Sequence, residues 1–114
     1  MNRSNNPMRW IKIFADKHSA LKKLEENKPK LLLIGEKRIC LVMRELKFYA
    51  VSDRCTHHGE SLSKGKVNFV GEIVCPWHGY QFSLQSGREW QERCADLVTF
   101  PIREEPDGLY IGLS

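Results

Sequence analysis

The chain has 114 residues, 41% of them hydrophobic and 28% charged, with a formal net charge of +4 and a pI of about 9.0. That length fits one domain, residues 1–114, with a single core and no separate catalytic domain, and the composition is that of an ordinary globular protein. No run of about 18 apolar residues exists to span a bilayer, and the polar opening from Met1 to Met8 lacks the apolar stretch of an export signal, so the expected location is the cytoplasm, with no membrane partner.

The basic balance does not mark a nucleic-acid face, because the charges are interleaved: Lys22-Lys23 is followed by Glu25-Glu26, and Arg103 by Glu104-Glu105. The same charge would speed encounter with a partner that presents an acidic patch.

In chain order, Trp10 to Phe14 alternates apolar and polar residues, as a strand with one face inward does. From Asp16 to Asn27 the period changes. Leu21 and Leu24 are spaced by three among Lys and Glu, which predicts a short helix begun at Asp16 or Ser19 and closed by Pro29. Three apolar stretches follow, Lys30 to Ile34, Arg38 to Arg44 and Lys47 to Ser52, separated by Gly35-Glu36 and Glu45-Leu46. Short strands with tight connections predict an antiparallel meander. Further strands are expected at Glu72 to Val74, Tyr80 to Ser83, Val98 to Ile102 and Leu109 to Leu113, with Pro106-Asp107-Gly108 as the last hairpin turn. The predicted class is all-β, with antiparallel sheets forming a small sandwich or barrel.

Four cysteines in a chain without an export signal favour metal binding or inert burial over disulfides. Cys40 lies in the apolar run Ile39-Cys40-Leu41-Val42 and reads as a small buried hydrophobe. Cys94 has no histidine near it in sequence. The other two stand in short pairs: Cys55-x-His57 and Cys75-x-x-His78, each with a glycine close behind, Gly59 and Gly79. Both pairs begin where a predicted strand ends, so two neighbouring loops can meet at one tip of the sheet. His58 competes with His57 as a donor. In an extended loop Cys-x-His puts both donors on one side, which favours His57. His18 reads as a surface residue.

Two thiolates and two imidazoles suit a [2Fe–2S] cluster in which His replaces Cys on one iron. Neutral imidazoles leave such a cluster less negative than four thiolates do, which raises its potential into a range of roughly −150 to +300 mV. The same donors also suit a structural zinc ion, although zinc fingers usually pair Cys with Cys and His with His. A Cys–His thiol enzyme leaves the second pair without a role. Around the donors, Gly59 and Gly79 are expected to let the backbone point N–H groups at sulfur. Pro76 fixes φ, Trp77 shields the centre from water, and Tyr80 is either a hydroxyl donor to a ligand sulfur or an ordinary core tyrosine.

Cys55-Thr56-His57-His58-Gly59 and Cys75-Pro76-Trp77-His78-Gly79-Tyr80-Gln81-Phe82 resemble the two cluster-binding boxes of the Rieske iron–sulfur family. The resemblance runs over roughly residues 9–113. It implies an antiparallel all-β domain whose two loops form a small cluster-binding subdomain, approximately residues 53–83, holding one [2Fe–2S] cluster per chain. Carried over by position, Cys55 and Cys75 would bind the buried iron, and His57 and His78 the outer one. Respiratory members carry an additional disulfide-forming Cys in each loop where this chain has Glu60 and Trp77, and a serine where it has Tyr80. Those departures imply the lower-potential, ferredoxin-like branch. The second box also resembles that of Rieske oxygenases, whose mononuclear-iron domain has no counterpart here. The small subunit of assimilatory nitrite reductase is similar in size. The resemblance therefore implies a one-electron carrier between a reductase and an oxygenase or similar acceptor, itself not an enzyme. Two alternatives stand beside it: a small subunit or accessory domain of a larger redox enzyme, and a structural zinc-binding module.

Overall fold

In the computed structural model, residues 8–114 are described, and the expectation for the N-terminal stretch lies almost wholly outside them. Ten strands, one α-helix and one 3-10 turn follow in order: β1 (Arg9–Phe14), α1 (Lys17–Lys23), β2 (Lys30–Ile34), β3 (Lys37–Arg44), β4 (Lys47–Ser52), the 3-10 turn Leu62–Lys64, β5 (Lys66–Val67), β6 (Glu72–Val74), β7 (Gln81–Ser83), β8 (Thr99–Phe100), β9 (Ile102–Glu105) and β10 (Gly108–Leu113). All strand pairings are antiparallel and fall into three sheets, ordered β1-β10-β9, β2-β3-β4-β8 and β5-β6-β7. Among the described residues none of these sheets closes into a barrel, so of the two expected architectures the layered one is found. No helix among them is long and apolar enough to cross a membrane.

The helix forms where the period-three pattern placed it. The Asp16 carboxylate accepts the Ser19 backbone N–H at 2.7 Å, an N-cap that satisfies one of the orphan donors of the first turn. Ala20 and Leu24 turn into the core, and Lys22 and Lys23 sit at the negative end of the helix.

β3 is buried along almost its whole length and works as a wall with two wet-free faces. Ile39, Leu41 and Met43 pack to one side with Phe48, Ala50, Leu109, Ile111 and Leu113, under α1. Cys40 and Val42 face the other side, with Val51, Leu62, Ile73, Phe82, Leu84, Leu97, Cys55 and Cys75. The second core is the floor on which the two Cys/His loops stand.

The stretch expected as one strand from Val98 to Ile102 is two. Thr99–Phe100 pairs with β4, whereas Ile102–Glu105 pairs with β10. Pro101 has no N–H to give to a ladder, and the chain changes sheets there; its carbonyl still accepts the Gly112 N–H at 2.9 Å.

At the end of the molecule away from the two loops, the β3–β4 and β5–β6 turns expose Leu46 (60%), Phe69 (89%) and Val70 (61%). Arg44 ties the two turns together, donating to the Phe69 carbonyl at 2.6 Å and to Asn27 Oδ1 at 3.0 Å.

Candidate metal centre

The two loops have the same construction. In the first, the Gly59 N–H donates to the Cys55 carbonyl at 2.7 Å and the Cys55 N–H to the Glu60 carbonyl at 2.8 Å. In the second, the Gly79 N–H donates to the Cys75 carbonyl at 3.1 Å and the Cys75 N–H to the Tyr80 carbonyl at 2.8 Å. Each loop is thus a closed turn from Cys to Gly, and each ends on a left-handed residue, with φ of +76° at Gly59 and +70° at Gly79. No atom lies within 4 Å of where a Cβ would stand on either glycine, so the left-handed backbone, rather than close approach, calls for glycine there.

Closed turns change what the neighbouring residues do. The glycine N–H groups point at carbonyls; the backbone N–H groups of His57 and His58 are the ones directed at the Cys55 sulfur. Cys55 and Cys75 are buried and adjacent, with their side chains in contact. Burial pushes the Cys55 thiol up from its ordinary value, and the two N–H groups oppose that rise. Above the sulfurs, the His57 and His78 rings lie 5.5 Å apart, edge to face. His58 does not point elsewhere, as it would in an extended loop: its ring is 4.0 Å from His57 and 5.3 Å from His78, so three imidazoles gather at the tip. Removal of the His57 ring from water lowers its affinity for a proton, and His58, His78 and Arg93 add to that in the same direction. Pro76 and His78 are exposed. Trp77 is 65% exposed and meets the His78 ring edge-on at 5.7 Å, so it flanks the tip instead of covering it. Tyr80 stacks on His57, with centroids 4.1 Å apart and planes 13° apart, and its hydroxyl lies 3.3 Å from His57 Nε2; its contact is with the imidazole, not with a sulfur.

The remaining cysteines separate. Cys40 lies in the core, where burial, reinforced by the charge of Asp53, pushes its thiol well up. Cys94 lies beside the first loop, where Thr56 Oγ1 approaches its sulfur at 3.3 Å and donates to the Ala95 carbonyl at 2.5 Å.

Two buried carboxylates brace the loops. Asp53 accepts from Ser61 Oγ at 2.5 Å and from the Ser63 N–H at 2.7 Å, with Arg38 at 3.5 Å. Glu89 accepts backbone N–H groups from Gln81, Gln91 and Arg93 and the Arg93 Nε–H at 3.1 Å. The Arg93 guanidinium, above all, holds the Glu89 carboxyl down at about 2. Its folded value lies below the ordinary one, so its stabilisation is complete above about pH 4.5 and fades as pH falls toward 2. Acid unfolding of Glu89→Gln is therefore expected to lose that portion of its pH dependence between those values, measured by melting temperature at successive pH. Neither the pairing of Glu89 with Arg93, which lie outside any helix, nor that of Asp53 with Ser61 and Ser63 had a marker in the sequence.

Two buried thiols below and two imidazoles above, with backbone N–H groups aimed at sulfur, fit a centre with two irons that each take two protein donors.

The ferredoxin component of the alkene monooxygenase system of Xanthobacter autotrophicus is 32% identical over 79 residues, 69% of this chain and 65% of that one. The ferredoxin subunit of 3-phenylpropionate/cinnamic acid dioxygenase of Escherichia coli is 34% identical over 68 residues, 59% of this chain and 64% of that one. The matched part is thus just under two thirds of each relative's length. Among solved structures, the complex of reduced oxygenase and oxidized ferredoxin in carbazole 1,9a-dioxygenase contains a chain similar in fold, with a TM-score of 0.74 at 24% identity, covering 89% of this chain and 99% of that one. The Rieske [2Fe-2S] domain model matches residues 13–101, which include both loops and the strands that carry them. With that match spanning most of its length, the chain belongs to the Rieske [2Fe–2S] domain family.

Proposed function

We propose that the protein is a one-electron carrier, a single Rieske-type domain over residues 1–114, that takes electrons from a reductase and delivers them to an oxygenase or similar acceptor. As a family member it carries a [2Fe–2S] cluster, which supplies the one-electron couple. In this reading Cys55 and Cys75 hold the inner iron and exclude water from it, and His57 and His78 hold the outer iron, within the subdomain of about residues 53–83. His58, Gly59, Pro76, Trp77, Gly79 and Tyr80 surround the four. The observation that carries the proposal is the layering of the site: thiols almost fully buried, imidazoles at the surface where a partner can meet them. Similarity to ferredoxin components of two oxygenase systems supports the direction of transfer. The chain performs no substrate chemistry of its own. A cytoplasmic location belongs to the same proposal.

The test is an EPR spectrum of the dithionite-reduced protein together with metal analysis. A rhombic signal with about two irons per chain supports the carrier; a silent, colourless protein with about one zinc removes it. Cys94→Ser is expected to leave both signal and iron content unchanged, since Cys94 takes no part in the proposed donor set.

The exposed Leu46, Phe69 and Val70 favour a second reading, a subunit of a larger redox enzyme. Sedimentation of the protein purified from its native source separates the two: a free monomer supports the carrier, a stable complex the subunit.

A further inference from the structure

A third segment reaches the cluster-binding tip. After β7 the chain doubles back so that Glu89 bridges Phe82 and the Trp90 N–H donates to the Gln81 carbonyl at 2.9 Å. The fully buried Glu89 carboxylate then holds the turn through residue 93 by the backbone N–H groups of Gln91 and Arg93, accepts a third from Gln81 in β7, and grips the Arg93 side chain at Nε and Nη2. A guanidinium held at two nitrogens has little freedom to swing. Its central carbon lies 4.2 Å from the Tyr80 ring centroid, and the His57 ring lies 4.1 Å from that same centroid. Two groups so close to one centroid cannot share a face, so Tyr80 is layered between the cation and the imidazole.

We infer that Arg93, anchored by Glu89 and laid on Tyr80, is a positioning residue for the His57 ring and raises the reduction potential of the centre that ring serves. The inference rests on the proposed assignment of His57 as a ligand. The stack fixes the plane of the imidazole from outside the loop. The cation favours the reduced, more negative state of the centre, and the Glu89 charge that offsets it stands one residue further along the chain of contacts.

The experiment compares the iron-loaded wild type with Arg93→Gln and Arg93→Lys, by redox titration and by pulsed-EPR measurement of the coupling to the ligand nitrogens. Arg93→Gln is expected to lower the one-electron reduction equilibrium about tenfold, ~59 mV, and to change the nitrogen couplings. Arg93→Lys is expected to restore part of the potential while the couplings stay altered, because an ammonium does not stack. A fully loaded Arg93→Gln protein with wild-type potential and couplings overturns the inference and leaves the ligand assignment standing. If that variant loads poorly, Arg93→Lys decides: altered couplings support the positioning role and wild-type couplings overturn it. A wild type that binds no iron overturns the ligand assignment, and the inference with it.

Discussion

Cys75→Ser is expected to strip the protein of its iron, from about two per chain to background, and to abolish the visible absorption and the EPR signal of the reduced state. A serine hydroxyl fills nearly the same volume but stays protonated at neutral pH, so it offers iron no anionic donor. The other thiols have places of their own: Cys55 is already used, Cys40 packs from β3 into the core beneath the loops, and Cys94 lies beside Thr56. Because Cys75 is buried against an intact second core, the variant should keep its β-rich circular dichroism, which separates loss of metal from loss of fold. His57→Cys is expected to replace the native EPR signature by a different one or none. An unchanged spectrum in either variant would sink the four-donor assignment.

Asp53→Ala is expected to cost about 3 kcal/mol of stability, a fall in melting temperature of roughly 12 °C for a chain of this size. The carboxylate has no exposure and closes the segment after the first loop, accepting from Ser61 and from the Ser63 N–H, while the Asp53 carbonyl takes the Leu62 N–H at 2.6 Å. Alanine leaves the Ser63 N–H without that acceptor beside the buried Leu62, and it deprives Arg38 of its partner. Asp53→Asn keeps a carbonyl oxygen for that N–H and should lose less. Thermal unfolding of both variants checks the order; a drop of only about 2 °C for the alanine variant would show that the brace contributes little.

Both predictions depend on contacts of different legibility. Strands such as Lys30–Ile34 and Lys47–Ser52 lie where the apolar runs and turn residues placed them, because each feels mainly its own pattern of burial. The Cys/His pairs were legible because donor spacing is a local property. Lys66–Val67 was not foreseen: a strand of two residues has no period to detect and exists only because Glu72–Val74 lies beside it. The split at Pro101 was marked in the sequence by the proline itself, but which sheet each half joins depends on partners far away in the chain. At the tip, an extended loop was expected where a closed turn stands, although the equal distance from each Cys to its Gly carried that information. His58, Tyr80 and Trp77 took their orientations from that turn, and Arg93 reaches them from a segment whose approach no local pattern announces.

The two-faced wall of β3 also governs how the molecule comes apart. Residues that alternate between two cores cannot lose one set of neighbours while keeping the backbone registered for the other. The amide protons of Cys40, Leu41 and Val42 should therefore exchange with solvent at a single slow rate, that of global opening, with no sub-global route in which the loop-bearing half melts alone. The two cores should then be lost in one step, so circular dichroism and the exchange of these three amides should report the same opening.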